Sequence, residues 1–555
     1  MRGNRQAFHY KEILKGGSRL STRQNSMDKA RLIESGKTFL GIEFGSTRIK
    51  AVLIDEKAEI LASGSFDWEN TFYNGIWTYS IEDIQNGLKK TVQALKKSIT
   101  EKYQVTLKKI ASIGVSAMMH GYLVFDKDMN LLVPFRTWRN TFTKEASDKL
   151  SEIFSFPIPE RWSIAHLYHA MINKEPHVAK IDCVMTLSSY VHYLLTGEKI
   201  IGIGDASGIF PVDSDKLDYN DEMLEKFQLL VDREGYNWKI KDILPKVAVA
   251  ESVAGHLTFD GATLLDLDGD IKEGIPLCPP EGDAGTGMVA TNSISPQTGN
   301  VSAGTSVFAM VVLDKVLKKS YPGLVDMVVT PVGHPCAMVH ANNCTGEYDK
   351  WISLFNEVLL SFGYNESKDN LYKVLLNKAL DGDFDCGGLL PFNYISGESI
   401  TSVSEGCPLF VRTSNSSFNL SNFMKAQLFS SLATLKIGMN VLLEEENVII
   451  KKMTGHGGFF KNRKPGMMAM ASALCSPITV MDGAGEGGAW GMAILALYMA
   501  EGKDKLLPEF LNEKVFKNVD SVTLTPKKED IEGYNSFLKS YLKGLELEKI
   551  AKKYV

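Results

Sequence analysis

The sequence lacks the cysteine spacings that bind zinc or build a disulfide framework. No two cysteines form a Cys-x-x-Cys pair, the total is odd, and the seven lie far apart: Cys183, Cys278, Cys336, Cys344, Cys386, Cys407 and Cys475. This pattern argues against both a zinc site and a set of structural disulfides. It fits a reducing compartment, and we expect a cytoplasmic protein.

The sequence also lacks an excess of positive charge. It has 61 lysines and arginines against 66 aspartates and glutamates, which gives a formal net charge of -5. A protein that binds the phosphate backbone of a nucleic acid needs an excess of lysine and arginine, so we expect no nucleic-acid partner. With 44% hydrophobic and 23% charged residues, the composition is that of a soluble globular protein.

Long apolar runs are missing as well. The longest, residues 489–499, is interrupted by Gly491 and falls short of the roughly 20 residues that span a membrane, so we expect no membrane partner. Residues 1–36 are polar and basic, without the apolar core of a signal peptide. We predict that they form a disordered or non-native leader, with Met27 as a second plausible start. A targeting peptide is the alternative.

The length of the chain and its apolar patterning indicate two α/β domains. A chain of 555 residues exceeds the roughly 250 to 300 residues at which a single core stops growing. Residues 38–42 and 49–54 are apolar and flank the glycine turn 45–47, which predicts a β-hairpin. Residues 81–99 have the apolar spacing of a helix, and 110–116 that of a buried strand.

The order of strand and glycine turn returns later in the chain. Residues 299–305 repeat it and are followed by the apolar run 307–313. We therefore predict a boundary near Asn292, with an N-terminal domain over 37–291, a C-terminal domain over 292–535 and a charged helical tail over 536–555. Two similar α/β domains favour a ligand cleft between them.

The two glycine turns are candidate phosphate sites. In the first, Gly45 lets backbone N–H groups approach an anion, Ser46 and Thr47 add hydroxyl donors, and Arg48 adds a permanent charge. The second turn, Gly304-Thr305-Ser306, stands at the same point of the second domain. Each alone is also consistent with an ordinary hairpin turn, but a matched pair favours a polyphosphate.

Asp283 is a carboxylate among glycines, at the start of a predicted helix and beside the predicted domain boundary. Its oxygens can simply cap that helix. Its position beside the predicted cleft makes catalysis the alternative.

Two further glycine clusters lie near the C-terminus. The first, residues 455–462, includes Gly457, Gly458 and Asn462, together with Phe459 and Phe460, which we expect to be exposed unless a ligand covers them. The second, residues 483–491, is explained equally well by close helix packing.

Taken in order, these segments resemble the FGGY carbohydrate kinases over about residues 39–500. The resemblance implies a two-domain actin-like ATPase (ribonuclease H-like) fold, ATP as phosphoryl donor and Asp283 as catalytic base. It also implies contacts to the ATP phosphates from both glycine turns, and an adenosine site bordered by the loop 455–462. These ATP-binding residues are Gly45, Ser46, Thr47, Arg48, Gly304, Thr305, Ser306, Gly457, Gly458, Phe459 and Asn462.

Other segments follow the same family pattern, with departures. Residues 195–198 and 204–208 resemble its Leu-Thr-Gly-Glu and Asp-x-Ser/Ala segments, and 390–392 with 397–398 resembles Leu-Pro-Tyr followed by Gly-Glu-Arg. Ser399 stands where that arginine is usual.

For the sugar, Met119-His120-Gly121 resembles the Gln-Met-His-Gly of xylulokinases, with Met118 in place of the glutamine. His120 is then a substrate contact, although a core histidine is the alternative from the residues alone. Trp138 fits the family's tryptophan, whereas Asn140 replaces its usual aspartate.

Glu43 replaces the aspartate that the family links to Mg²⁺ through water. Since Mg²⁺ keeps several waters and binds few protein carboxylates, a glutamate is tolerable there. Asp283 needs no shift to act as a base, because an ordinary aspartate pKa near roughly 3.9 leaves it ionised at neutral pH.

The resemblance thus implies a kinase that phosphorylates a sugar hydroxyl, with a ketopentose such as xylulose as the favoured acceptor. Ribulose, gluconate, glycerol and other polyols are alternative acceptors, and an actin-like ATP-binding protein without kinase activity is the alternative outside enzymes. The expected partners are a small-molecule sugar and ATP, and a homodimer is a further expectation.

Overall fold

Apolar runs in both halves of the chain form the strands of two sheets. The structure, a computed structural model, describes residues 26–481, 487–502 and 504–555. In this part the chain divides into a first unit of residues 26–146, 160–290 and 487–515 and a second unit of residues 147–159, 291–481 and 516–555.

The sheet of the first unit is built on an antiparallel hairpin, Phe39–Phe44 with Arg48–Ile54, that gains the parallel neighbour Ser112–Ala117. Its strand order is Gly255–His256, Pro276–Leu277, Ser112–Ala117, Phe39–Phe44, Arg48–Ile54 and Ile60–Asp67, and Glu281–Gly282 also pairs in parallel with Ser112–Ala117. Helix Ile81–Tyr103 packs so closely on this sheet that a Cβ at Gly64 would lie 2.2 Å from the Leu95 backbone nitrogen.

Shorter strands and helices complete the first unit. The strands are Thr71–Tyr73, Ile76–Thr78, Leu123–Phe125, Cys183–Met185, Ile200–Gly202, Val212–Asp213, Asp218–Tyr219 and Lys246–Ala248. The helices are Ser163–Ile172, Leu187–Thr196, Ile203–Ala206, Asp221–Glu234, Ile240–Ile243, Phe259–Leu265, Asp283–Ala290, Gly487–Glu501 and Leu507–Phe510. Helix Lys144–Phe154 runs across the division after Ala146.

The second unit repeats the same local arrangement. Hairpin Thr298–Ala303 with Val307–Val312 has the parallel neighbour Lys452–His456. The full order is Asp326–Val329, Pro335–Ala341, Val307–Val312, Thr298–Ala303, Lys452–His456, Ile478–Met481 and Ser521–Leu524. The predicted α/β class and the return of the hairpin in the second half are confirmed.

Helices cover the second sheet. They are Gly346–Ser361, Lys368–Lys378, Leu420–Asn440, Arg463–Leu474 and Lys528–Ala551. Strands Leu390–Phe392 and Leu409–Val411 form a separate two-stranded sheet. Among the described residues, one stretch, Leu420–Glu445, is long and apolar enough to cross a membrane, but 83% of its most apolar window is buried. It has the burial of a core helix, and its side chains belong to the core of the second unit.

The two units differ from the predicted ranges in several segments. Residues 26–35 are helical, and Ile33 is fully buried in the first core, so ordered structure begins ahead of residue 37. Residues 487–502 and 504–515 lie with the first unit. Tyr534 and Tyr541 of helix Lys528–Ala551 are fully buried in the second core, so the charged C-terminal helix is packed along one face. The predicted leader up to residue 25 lies outside the described residues.

Candidate active site

Three parallel strands of the first sheet end side by side. Phe44 pairs with Ala117, and Ala117 pairs with Gly282. The residues that follow are therefore brought to one edge of the sheet: the turn that starts at Gly45, the segment from Met118, and Asp283. Ligands of open α/β sheets bind at the carboxyl ends of the strands, so this edge is the expected site.

Asp283 begins helix Asp283–Ala290, and its carboxylate accepts the backbone N–H groups of Met119 and Ala284 as well as its own. Burial nevertheless raises its pKa to about 6, because those N–H groups only partly offset the loss of solvent. The pKa is therefore higher than the ordinary value that already suffices for a base. Asp283 is still mostly ionised at neutral pH, and it is a stronger base than a solvated aspartate.

His120 has a backbone conformation that is rare for a residue with a side chain. Its φ is 67°, and that of Gly121 is 91°. Such strain persists only where the surroundings impose it, often at functional sites. The ring is buried, stacks on Trp162 at a centroid distance of 6.1 Å, and places Nδ1 3.2 Å from the Gly208 carbonyl oxygen.

The imidazole of His120 is neutral. Burial and the nearby Arg161 lower its pKa to about 3. In the tautomer in which Nδ1–H donates a hydrogen bond to the Gly208 carbonyl oxygen, Nε2 can accept a hydrogen bond from a hydroxyl group.

Met119 packs against the strand that leads to the base. A Cβ at Gly282 would lie 2.3 Å from Met119 Cγ, so a glycine is required before Asp283.

Trp138 is 37% exposed and available to a ligand.

Asn140 has a structural role that the sequence did not reveal. Its Oδ1 accepts the Trp77 N–H at 2.9 Å, and its Nδ2 donates to the Trp77 carbonyl oxygen at 2.8 Å. An aspartate has no N–H to donate to that carbonyl oxygen. The asparagine, which departs from the family pattern, therefore makes a contact with strand Ile76–Thr78 possible. The two residues in contact are 63 positions apart, so no local pattern predicts the contact.

The turn of the first hairpin is fixed by its carbonyl groups. The Trp68 indole N–H donates to the Gly45 oxygen at 2.7 Å, and the Tyr79 hydroxyl donates to the Ser46 oxygen at 2.5 Å. Within the described residues, the backbone N–H groups of Ser46 and Thr47 have no acceptor. A turn anchored in this way suits an anion. Arg48 is exposed and forms an ion pair with Asp67 at 2.6 Å.

Glu43 lies beside the start of helix Gly487–Glu501. Its Oε2 accepts the Ala489 N–H at 3.2 Å, and a Cβ at Gly488 would lie 2.2 Å from Oε1. The described residues contain no cluster of three or more metal-binding side chains. One carboxylate fits Mg²⁺ held mainly by waters and phosphate oxygens, since this ion seldom occupies an all-protein cage.

The second sheet has a matching edge. Strand Thr298–Ala303 is parallel to Lys452–His456, so the turn from Gly304 and the loop from Gly457 follow neighbouring strand ends. The Thr305 and Gly304 carbonyl oxygens accept N–H groups from residues 344 and 345 at 2.9 and 3.1 Å. In the described part of the chain, the N–H groups of Thr305 and Ser306 have no acceptor.

The two glycines at this edge differ. Gly457 has a φ of 98°, and a Cβ there would lie 2.4 Å from the Ala303 carbonyl oxygen, so the fold itself requires glycine. At Gly304 the φ is not positive and a Cβ would meet nothing within 4 Å. The fold alone gives no reason for glycine at position 304.

The loop after Gly457 packs without a ligand. Phe459 and Phe460 are 1% and 3% exposed, with their rings in the second core at a centroid distance of 5.4 Å. The prediction that they are exposed unless a ligand covers them is therefore wrong. Gly458 has open space around it, and Asn462 precedes helix Arg463–Leu474 without capping it through its side chain.

Part of the second glycine cluster, residues 482–486, lies outside the described residues. In the described part Gly491 serves packing, since a Cβ there would lie 2.0 Å from the Thr286 carbonyl oxygen. Helices Asp283–Ala290 and Gly487–Glu501 approach closely for this reason.

Residues 38–289 match the N-terminal domain of the FGGY family of carbohydrate kinases, and residues 299–500 match its C-terminal domain. The chain belongs to this family. An FGGY carbohydrate kinase is a phosphotransferase with an alcohol group as acceptor and ATP as phosphoryl donor, so the predicted enzyme class is confirmed.

Known members of the family have different acceptors in their names. The chain is 23% identical to the xylulose kinase of Haemophilus influenzae over 527 residues, 91% of this chain and 99% of the relative. The ligand-bound xylulose kinase from Lactobacillus acidophilus has a TM-score of 0.75 at 17% identity, covering 93% of this chain and 100% of that one. The gluconate kinase from the same organism has a TM-score of 0.74 at 17% identity, covering 93% and 99%. At these identities the solved structures establish the actin-like fold and leave the acceptor open.

Proposed function

We propose that this FGGY kinase phosphorylates a ketopentose, with xylulose favoured over ribulose, and that Asp283 is the base. The observation that carries the proposal is the pairing of Gly282 with Ala117, which puts Asp283 beside the strained turn at His120. The similarity to the xylulose kinase from Haemophilus influenzae extends over almost its whole length and supports the choice of sugar.

In the proposed reaction, Asp283 accepts the proton of the sugar hydroxyl as its oxygen forms a bond to the γ-phosphorus of ATP, and the bond to ADP breaks. A carboxylate whose pKa is about 6 is a more effective base than one near 4 and stays ionised at pH 7. His120 accepts a hydrogen bond from another hydroxyl through Nε2, and Trp138 and Met119 contact the carbon skeleton. Each glycine turn donates backbone N–H groups to phosphate oxygens.

We propose Glu43 as the residue that holds Mg²⁺ through water. The ion, when bound, neutralises charge on the transferring phosphate. We further propose a cytoplasmic location, supported by seven cysteines that are all unpaired thiols. We also propose a homodimer, which a measurement of mass in solution tests.

A coupled assay of ADP release with a panel of ketopentoses, polyols and aldonates tests the choice of acceptor. The expected result is the highest kcat/KM with xylulose. Robust turnover with glycerol or gluconate alone would overturn the choice of sugar and leave the kinase class intact.

A further inference from the structure

The first unit brings three carboxyl groups close together, and two of them are buried. Asp205 is fully buried, Glu281 is 1% exposed, and Asp283 follows Glu281 by two residues. None of the three forms an ion pair within the described residues. Neighbouring buried carboxylates without a cation cannot all be ionised, so this group holds at least one proton at neutral pH.

Asp205 is connected to the strand that carries the base. The Gly204 and Asp205 backbone N–H groups donate to the two oxygens of Glu281 at 3.1 and 3.0 Å. The Asp205 Oδ1 lies 3.3 Å from the position of a Cβ on Gly282, the residue before Asp283.

The same short segment contacts His120. Gly208, three residues after Asp205, accepts from His120 Nδ1, and a Cβ at Gly208 would lie 2.8 Å from that nitrogen. The segment 204–208 therefore contacts both residues that the proposed reaction uses. It reaches the strand before Asp283 through Glu281, and it reaches His120 through Gly208.

The side chain of Asp205 anchors this segment. Its Oδ2 accepts the Thr186 hydroxyl at 2.6 Å and also the Ser188 hydroxyl, both at the start of helix Leu187–Thr196. Its Oδ1 is buried and has no partner among the described residues. A carboxylate oxygen in that situation is costly, whereas an oxygen of a neutral carboxylic acid is less so.

We propose that Asp205 is a positioning residue of the kinase that fixes Asp283 and His120 relative to each other. Thr186 and Ser188 hold its Oδ2, and its Oδ1 closes the space behind Gly282. This inference rests on the proposed role of Asp283 as the base.

The surroundings of Asp205 favour protonation of its side chain. Burial, together with the charge of Asp283, raises the pKa of Asp205 to about 7. The titratable groups that face it are Glu281, Asp283 and Tyr219. The pKa values of Glu281 and Tyr219 are also raised, chiefly by burial, so no facing group supplies a compensating positive charge.

The variants Asp205→Asn and Asp205→Ala separate positioning from charge. Asparagine keeps the shape and an acceptor for Thr186, so kcat should stay within about threefold of the parent, as for a substitution that leaves the reacting groups in place. Alanine opens a space behind Gly282, and a displaced base should lower kcat by about 10- to 100-fold while the KM for ATP is unchanged.

The pH profile gives a readout that a purely structural role would not move. Alanine admits water beside Asp283, so the acid limb of kcat/KM should shift from about pH 6 toward lower pH, whereas asparagine should leave it in place. If Asp205→Ala does not fold, Thr186→Val, which removes one of the two hydroxyl donors that hold Asp205, should lower kcat in the same direction.

Two results would overturn the proposal. Equal losses of kcat in Asp205→Asn and Asp205→Ala would mean that the negative charge is required. A parental kcat and acid limb in folded Asp205→Ala would mean that Asp205 positions nothing. Asp283→Asn is assayed in parallel, because full activity in that variant would instead refute the choice of base, independently of Asp205.

Discussion

A side chain at Gly304 tests whether the turn of the second unit binds phosphate. In the structure a Cβ at this position meets nothing within 4 Å, and the backbone does not require glycine. Gly304→Val should therefore change the free energy of unfolding by no more than about 0.5 kcal/mol, as for other surface substitutions. If a phosphate oxygen approaches the turn, the valine methyl groups block it.

The size of the effect follows from the hydrogen bonds at stake. One hydrogen bond to a charged group is worth about 1.5 to 3 kcal/mol, which corresponds to an increase of about 10- to 100-fold in the KM for ATP. The KM for the sugar should stay close to the parental value, because Gly304 lies in the unit that does not carry Asp283.

Gly457→Val is the matched comparison at the neighbouring strand end. Its φ of 98° and the 2.4 Å approach to the Ala303 oxygen should cost about 1 to 3 kcal/mol of stability. Thermal unfolding and ATP titration of both variants separate the two effects. A stable Gly304→Val enzyme with the parental KM for ATP would refute phosphate binding at this turn.

Three further predictions concern the first unit. Because the base must be ionised and its pKa is raised to about 6, kcat/KM should fall about tenfold as the pH drops from 7 to 5, in a profile measured with the parent enzyme; a flat profile down to pH 5 would contradict the raised pKa. Asn140→Asp removes the donor to the Trp77 carbonyl oxygen and should cost about 1 to 3 kcal/mol in urea unfolding, and an unchanged midpoint would show that the contact contributes little. Glu43→Gln should raise the Mg²⁺ concentration needed for half-maximal turnover more than it changes the KM for the sugar, and an identical Mg²⁺ titration would remove Glu43 from the metal site.

The two hairpins and their turns could be predicted from the sequence, because each depends on local signals. Gly45 and Gly304 each begin a three-residue turn that is followed by an apolar run, and the structure has strands on both sides of each turn. The adjacency of Asp283 to His120 is different in kind. It depends on parallel pairing between strands more than 160 residues apart, and only the resemblance to the family brought these residues together before the structure did.

Other features of the site are beyond local patterns for identifiable reasons. The raised pKa of Asp283 depends on burial by distant residues, and the pairing of Asn140 with Trp77 depends on a contact across 63 positions. Phe459 and Phe460 were expected to need a ligand to cover them, but helix Arg463–Leu474 and the rest of the second core do so. The sequence identified these residues as notable and did not establish what surrounds them.

The most direct test of the account is the turnover of Asp283→Asn. Asparagine keeps the size of the side chain and its ability to cap helix Asp283–Ala290 but cannot accept the proton. We expect kcat to fall by about 10² to 10⁴, while ATP binding and thermal stability stay close to those of the parent. Turnover above about a tenth of the parental rate, outside the range for loss of a general base, would contradict the role of Asp283.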